Sequence, residues 1–191
     1  IMLAVATGVE QYHHAGFIHC DIKPENIFIL DEVTDLIKLF DYDSLIRIDD
    51  LKSGEVTEIP MPSAYYVPEL NDLNLKNIGI QTDLFEIGAM FYTRLFGKAP
   101  QPKDIGYDSE YNFDNAPLLS GVSPKAVFEI EKLFRNTLQI SKRRRYKDTS
   151  QLISQLEFIL TLVDSKKPYL LNLPVWQPSR LCIERSDAVS Y

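Results

Sequence analysis

Cysteine is nearly absent, with Cys20 and Cys182 the two examples in 191 residues. Two thiols so far apart make neither a zinc knuckle nor a disulfide framework, and a reducing, cytoplasmic setting is expected. Long apolar runs are missing as well. The longest candidate, Leu84 to Phe96, is interrupted by Glu86 and Arg94, short of the roughly 20 residues that span a bilayer. There is no secretory leader pattern. Net positive charge is also absent: the formal charge is −7, which repels a phosphate backbone and an anionic bilayer, so neither nucleic acid nor membrane is an expected partner. What remains is 45% hydrophobic and 25% charged, ordinary for a globular domain with one core. The chain opens on Ile1, directly into a helical pattern with no capping residue, so its start reads as a cut within a longer protein.

Hydrophobic spacing predicts four major helices. Met2, Val5, Ala6, Val9 and Tyr12 mark the first, which Gly16 ends. His13 and His14, in its last turn, read as solvated residues favourably placed against the helix dipole. From Thr82 to Phe96 apolar residues cover nearly the whole circumference up to Gly97, the pattern of a helix in the middle of a domain. Ser123-Pro124 supplies an N-cap and a first-turn proline for the third. Asp148 with Gln151 resembles a capping box ahead of Leu152, Leu156 and Ile159 in the fourth. The runs Ile27 to Leu30 and Leu36 to Phe40, separated by a polar turn, predict a small hairpin. Residues 43 to 68 carry Ser53-Gly54 and three prolines and predict a long irregular segment. After Lys166 the prolines Pro168, Pro174 and Pro178 break any helix, so residues 166–191 read as a linker or docking tail that could lead into a further domain.

The most informative stretch is His19-Cys20-Asp21-Ile22-Lys23-Pro24-Glu25-Asn26, between the first helix and the hairpin. Phosphoryl transfer from ATP needs a carboxylate for the proton of a hydroxyl nucleophile, a cation on the migrating group and oxygen ligands for magnesium. Asp21, Lys23 and Asn26 supply one of each. Asp41 follows at the end of the second strand, where a second magnesium ligand would be expected. Any one of these residues alone is more often a cap or turn residue; their joint spacing carries the weight.

This segment resembles the catalytic loop of eukaryotic-type serine/threonine protein kinases, and Phe40-Asp41-Tyr42-Asp43 is similar to their metal-binding Asp-Phe-Gly. The resemblance implies that Asp21 is the catalytic base, that Lys23 contacts the γ-phosphate of ATP, and that Asn26 and Asp41 hold Mg2+. His19 and Tyr42 would be structural. Tyr65-Tyr66-Val67-Pro68-Glu69 resembles the family's Ala-Pro-Glu. Asp83-Leu84-Phe85-Glu86-Ile87-Gly88 resembles the start of its central helix, whose Asp ties down the catalytic-loop backbone. In Lys142 to Lys147 the pattern implies one arginine paired with Glu69, namely Arg145, with Arg144 as a one-residue slip. The resemblance covers residues 1–165 and implies a mainly α fold with a small β-hairpin (α+β). It further implies a kinase C-lobe lacking its N-terminal β-rich lobe, because no Gly-x-Gly-x-x-Gly loop, strand lysine or partnering helix glutamate is found. The missing lobe and a protein substrate with Ser/Thr hydroxyls would be the partners, and the piece alone would be nearly inactive.

The sequence departs from the family's pattern at three places. Cys20 replaces the arginine that receives an activation-loop phosphate, Asp43 replaces a glycine, and Pro62 falls where a threonine usually bonds the catalytic Asp and Lys, with Ser63 adjacent. Ser44, Ser53, Thr57 and Ser63 are the loop hydroxyls open to phosphorylation. These departures motivate two alternatives: a pseudokinase scaffold, and a small-molecule phosphotransferase.

Overall fold

The structure, a computed structural model, describes residues 1–31, 34–58, 64–71 and 75–163. The predicted turn is described in part, and Pro60, Pro62, Ser63 and the tail from Lys166 lie outside the described residues. The four main helices are α1 (Met2–His14), α4 (Ile80–Phe96), α5 (Pro124–Arg135) and α6 (Thr149–Val163). Their ends follow from local chemistry. Gly97 closes α4 with φ +69°, a left-handed conformation that a glycine adopts without steric cost. At α5 the Ser123 hydroxyl accepts from the Ala126 amide at 3.2 Å. Ahead of α6 a reciprocal pair forms: the Gln151 amide donates to Asp148 Oδ1 at 3.1 Å, and Gln151 Oε1 accepts from the Lys147 amide at 2.9 Å.

Helix α4 is the axis of the core. Leu84, Phe85, Ile87 and Ala89 are almost fully buried along it, and each large apolar side chain so placed contributes about 1.5–3 kcal/mol. Gly88 lies under Thr137, and a Cβ there would collide with that side chain, so the helix carries no side chain at its closest approach. One turn further along the same face the Phe134 ring meets Phe91, Tyr92, Phe96, Tyr111 and Phe113 within 6.4 Å between centroids.

Two antiparallel sheets sit at one edge, where the sequence pattern predicted a single hairpin. Strands β2 (Ile27–Asp31) and β3 (Leu36–Leu39) form that hairpin, pairing Ile27 with Leu39 and Ile29 with Ile37. The second sheet pairs β1 (Phe17–Ile18) with β4 (Ile46–Arg47), in register Phe17 to Arg47 and Ile18 to Ile46. Two-residue strands are too short to show alternation, so their pairing is fixed by the chain on either side.

The segment expected to be irregular is likewise corrected. It holds β4, then α2 (Ile48–Ser53) and, after the undescribed part, α3 (Pro68–Asn71). Ser53-Gly54 is not a free turn. Gly54, at φ +79°, is the C-terminal cap of α2, and the next amide, of Glu55, bonds back to the Asp50 carbonyl at 3.0 Å. Acidic Asp49 and Asp50 in the first turn favour this short helix through its dipole. No described helix is long and apolar enough to cross a membrane.

Candidate active site

The site is built on buried carboxylates. Asp83 and Glu86 lie three residues apart on α4 and so share one helix face. Asp83 Oδ2 accepts from the His19 amide and Oδ1 from the Cys20 amide, each at 2.9 Å. Glu86 Oε2 accepts from the Ile22 amide at 2.9 Å. These bonds hold the loop backbone on both sides of Asp21. Cys20 has φ +62°, a conformation costly for a residue with a Cβ, and its peptide is held there by Asp83. Burial first, then the neighbouring acidic side chains of Asp83, Glu86, Glu69 and Asp21, push the Cys20 thiol well above its ordinary range, so it is a neutral core residue.

Above this anchor the loop gathers its polar groups. Lys23 Nζ donates to Asp21 Oδ2 at 2.7 Å, and Asn26 Nδ2 donates to the same oxygen at 3.0 Å and to the Asp21 carbonyl at 2.9 Å. Asn26 is buried and is the last residue of a single 3-10 turn, Pro24–Asn26, before β2. The Phe40 amide donates to the Asn26 carbonyl at 3.1 Å, so the hairpin register carries Asp41 to the neighbourhood of Asn26. Asp41 has φ +66° and an exposed side chain. The Tyr42 hydroxyl donates to the Leu39 carbonyl at 3.0 Å and fixes this bend. His19 is fully buried, edge-on to Tyr12 with centroids 5.7 Å apart.

Magnesium needs hard oxygen donors and keeps several waters or phosphate oxygens. Asn26 fits that demand: its amide nitrogen is spent on Asp21, leaving its carbonyl oxygen with no donor among the described residues. The exposed Asp41 carboxylate, with no ion pair among the described residues, is the second such oxygen. No cluster of three or more His, Cys, Asp or Glu suited to a metal occurs among the described residues, so the protein would offer two oxygens and leave the rest of the shell to phosphate and water.

The second framework is an ion pair. Arg145 places Nη1 at 2.6 Å from Glu69 Oε1 and Nη2 at 2.8 Å from Oε2, with both side chains almost wholly buried. Its remaining donors reach the Gln139 and Gln81 carbonyls at 2.9 Å each, so the fork is fully satisfied. Arg144 lies elsewhere, exposed and over the Tyr107 ring. The pair ties α3 to the 3-10 turn Lys142–Arg144 and to α4.

Two contributors escaped the sequence reading. His13 is not a solvated end residue. Its ring is 7% exposed, with Nε2 at 2.8 Å from Asp83 Oδ2 and Nδ1 at 2.6 Å from the Thr149 hydroxyl, so it links α1, α4 and α6. The helix periodicity put it at the boundary of the apolar face, where position alone does not separate solvent from a polar partner. Glu86 entered the sequence reading as an interruption of an apolar run. An acidic residue inside an otherwise all-round apolar helix was the available signal.

The protein kinase domain family model matches residues 1–160, and the chain belongs to that family. It is 29% identical over 184 residues to death-associated protein kinase 2 of Mus musculus, covering 87% of this chain and 48% of that protein. It is 31% identical over 115 residues to smooth-muscle myosin light chain kinase of Gallus gallus, covering 60% of this chain and 6% of that protein. Serine/threonine-protein kinase D3 of Homo sapiens is 29% identical over 145 residues, 74% of this chain and 16% of that protein. Among solved structures, the Rad53 kinase domain and SCD2 in complex with AMPPNP aligns at TM-score 0.53 with 19% identity, over 81% of this chain and 56% of that one. The twitchin kinase region from C. elegans aligns at 0.52 with 21% identity, over 80% and 27%. At these identities the structural matches speak for the fold. The chain spans less than half the length of the curated relatives named here.

This family match corrects one expectation. The description as a mainly α C-lobe lacking an N-terminal β-rich lobe is withdrawn, because the domain model matches from residue 1 through residue 160, with the strands Phe17–Ile18 and Ile27–Asp31 inside the match. Motifs absent from a sequence say which residues it does not contain; they do not define a fold by subtraction.

Proposed function

We propose that this chain carries the phosphoryl-transfer residues of a serine/threonine protein kinase. Asp21 receives the proton as a Ser or Thr hydroxyl oxygen forms its bond to the γ-phosphorus of ATP and the bridging oxygen leaves with ADP. Lys23 would lie against the transferred group, and Asn26 and Asp41 would hold Mg2+. When bound, the metal supplies positive charge to the phosphate oxygens. The observation that supports this reading best is the convergence of Lys23 Nζ and Asn26 Nδ2 on one oxygen of Asp21, at 2.7 and 3.0 Å, on a loop whose amides are tied to buried carboxylates. Such pre-organisation is what positioning a nucleophile and a phosphate requires.

The sequence contains no Gly-x-Gly-x-x-Gly loop, so the adenosine and inner phosphates lack the usual grip, and transfer by the 191-residue chain alone is expected to be weak. The test is radiolabelled transfer from Mg-ATP to a generic protein substrate, comparing wild type with Asp21→Asn. A loss of about 10²- to 10⁴-fold is expected for removal of a general base. Transfer undiminished in Asp21→Asn overturns the reading. Mg-ATP binding with no transfer at all favours a scaffold, and transfer to aminoglycosides in preference to protein favours a small-molecule enzyme.

A further inference from the structure

The central helix grips the catalytic loop with two acids, and the two are in different situations. Asp83 takes three donors, the His19 and Cys20 amides and the His13 ring. Glu86 is 1% exposed, and among the described residues its hydrogen-bond partner is the Ile22 amide, at 2.9 Å. Ile22 lies between Asp21 and Lys23, so the peptide unit that Glu86 holds is the one joining Asp21 to Ile22. A tilt of that peptide moves the Asp21 side chain directly.

Resting on the kinase reading above, we propose that Glu86 is a positioning residue for Asp21, acting as an uncharged hydrogen-bond acceptor that fixes the Asp21–Ile22 peptide from inside the core. Two features of the surroundings argue for the uncharged form. No cation pairs with Glu86 among the described residues; Arg145 pairs with Glu69 and Lys23 with Asp21. The groups facing it are acidic or neutral: Asp83 on its own helix, Asp21 and Cys20 on the loop, Glu69 on α3, and Tyr65 before α3. Burial, with the charge of Asp83 next in weight, pushes the Glu86 carboxyl well above its ordinary range, and the Ile22 amide opposes this in part. An ionised carboxylate there would face the other acids without a counter-charge, the costliest arrangement in a low-dielectric interior.

The experiment separates the acceptor from the charge. In Glu86→Gln the amide oxygen can still accept from Ile22, whereas in Glu86→Leu the buried amide loses its partner. Transfer at pH 7 is expected within about twofold of wild type for Glu86→Gln. For Glu86→Leu kcat should fall roughly ten- to a hundredfold with KM changed far less, the pattern of a displaced catalytic group. A further readout separates positioning from loss of fold. Hydrogen exchange of the Ile22 amide should stay slow in wild type and Glu86→Gln and become at least about tenfold faster in Glu86→Leu, while the amides of Leu84 and Phe85 in α4 keep their protection. As pH rises and Glu86 ionises, wild-type kcat should decline, and Glu86→Gln should lack that decline. If Glu86→Gln loses as much activity as Glu86→Leu, or if Ile22 exchange is equal in all three, the proposal is wrong. Asp21→Asn run alongside keeps the two readings apart: transfer insensitive to Asp21 overturns the kinase reading, and the Ile22 exchange rates then still decide whether Glu86 holds the loop.

Discussion

The floor of the Asp21 loop and its open face are built on opposite rules. On the floor, Asp83, Glu86, Glu69 and Arg145 are all nearly inaccessible, and each has named donors or acceptors at 2.6–2.9 Å. On the face, Asp41 and Tyr42 are exposed, and Phe28, Leu30 and Leu36 of the hairpin are each more than half exposed. A floor of buried, hydrogen-bonded polar groups resists rearrangement, because removing one partner strands the other in a low-dielectric interior. The face keeps its groups unburied, and so available to a ligand. The placement of Asp21 therefore derives from buried residues beneath the loop.

Substitutions on the two sides should differ in what they break. The largest effect on folding is expected at the ion pair. Arg145→Ala leaves Glu69 buried and uncompensated, and a loss of about 3–5 kcal/mol in denaturant unfolding is expected. A loss below 1 kcal/mol would mean that the floor is not held by this pair. Asp83→Asn keeps one acceptor oxygen for two loop amides and removes the charge facing His13. About 1.5–3 kcal/mol of stability should go, with faster exchange of the Cys20 amide, since hydrogen bonds to charged groups are of that size.

The pH dependence of the floor comes next. Glu86 holds its proton more tightly in the fold than in the unfolded chain, where its value is near 4.5. Its contribution to stability is therefore fully present below that value and is lost as pH rises towards the raised one. Glu129 has its carboxyl lowered, first by the Gln155 side chain, so its contribution is lost in acid, below the same ordinary value, and does not overlap this window. A series of unfolding curves from pH 5 to pH 8 should show Glu86→Gln gaining on wild type as pH rises. A gap constant with pH would show that Glu86 is not held protonated. The smallest effect belongs to the face. Tyr42→Phe removes one half-exposed hydrogen bond to the Leu39 carbonyl, and the stability change should stay below about 1 kcal/mol, with any effect on transfer exceeding the effect on folding.

The long elements were legible because helical periodicity extends over many residues. Predicted starts at Met2, Thr82, Pro124 and after Asp148 lie within two residues of the observed helices. The hairpin was legible from its β-branched runs. The second sheet and α2 were not, since two paired residues and a six-residue helix carry too little pattern to stand above turn signals such as Ser53-Gly54. Of the candidate site, Asp21, Lys23 and Asn26 come together through spacing close along the chain.

Residue order by itself determined which chemical groups stand near one another on the loop, because neighbours within five positions cannot stray far apart. It also determined where α4 runs and that an acid interrupts its apolar surface. Tertiary structure alone decided that His13 turns inward to Asp83 and Thr149. It likewise decided that Glu86 reaches the Ile22 amide, 64 positions away. Such pairings depend on which donors and acceptors lose water together, and that is settled only when separate segments pack into one interior.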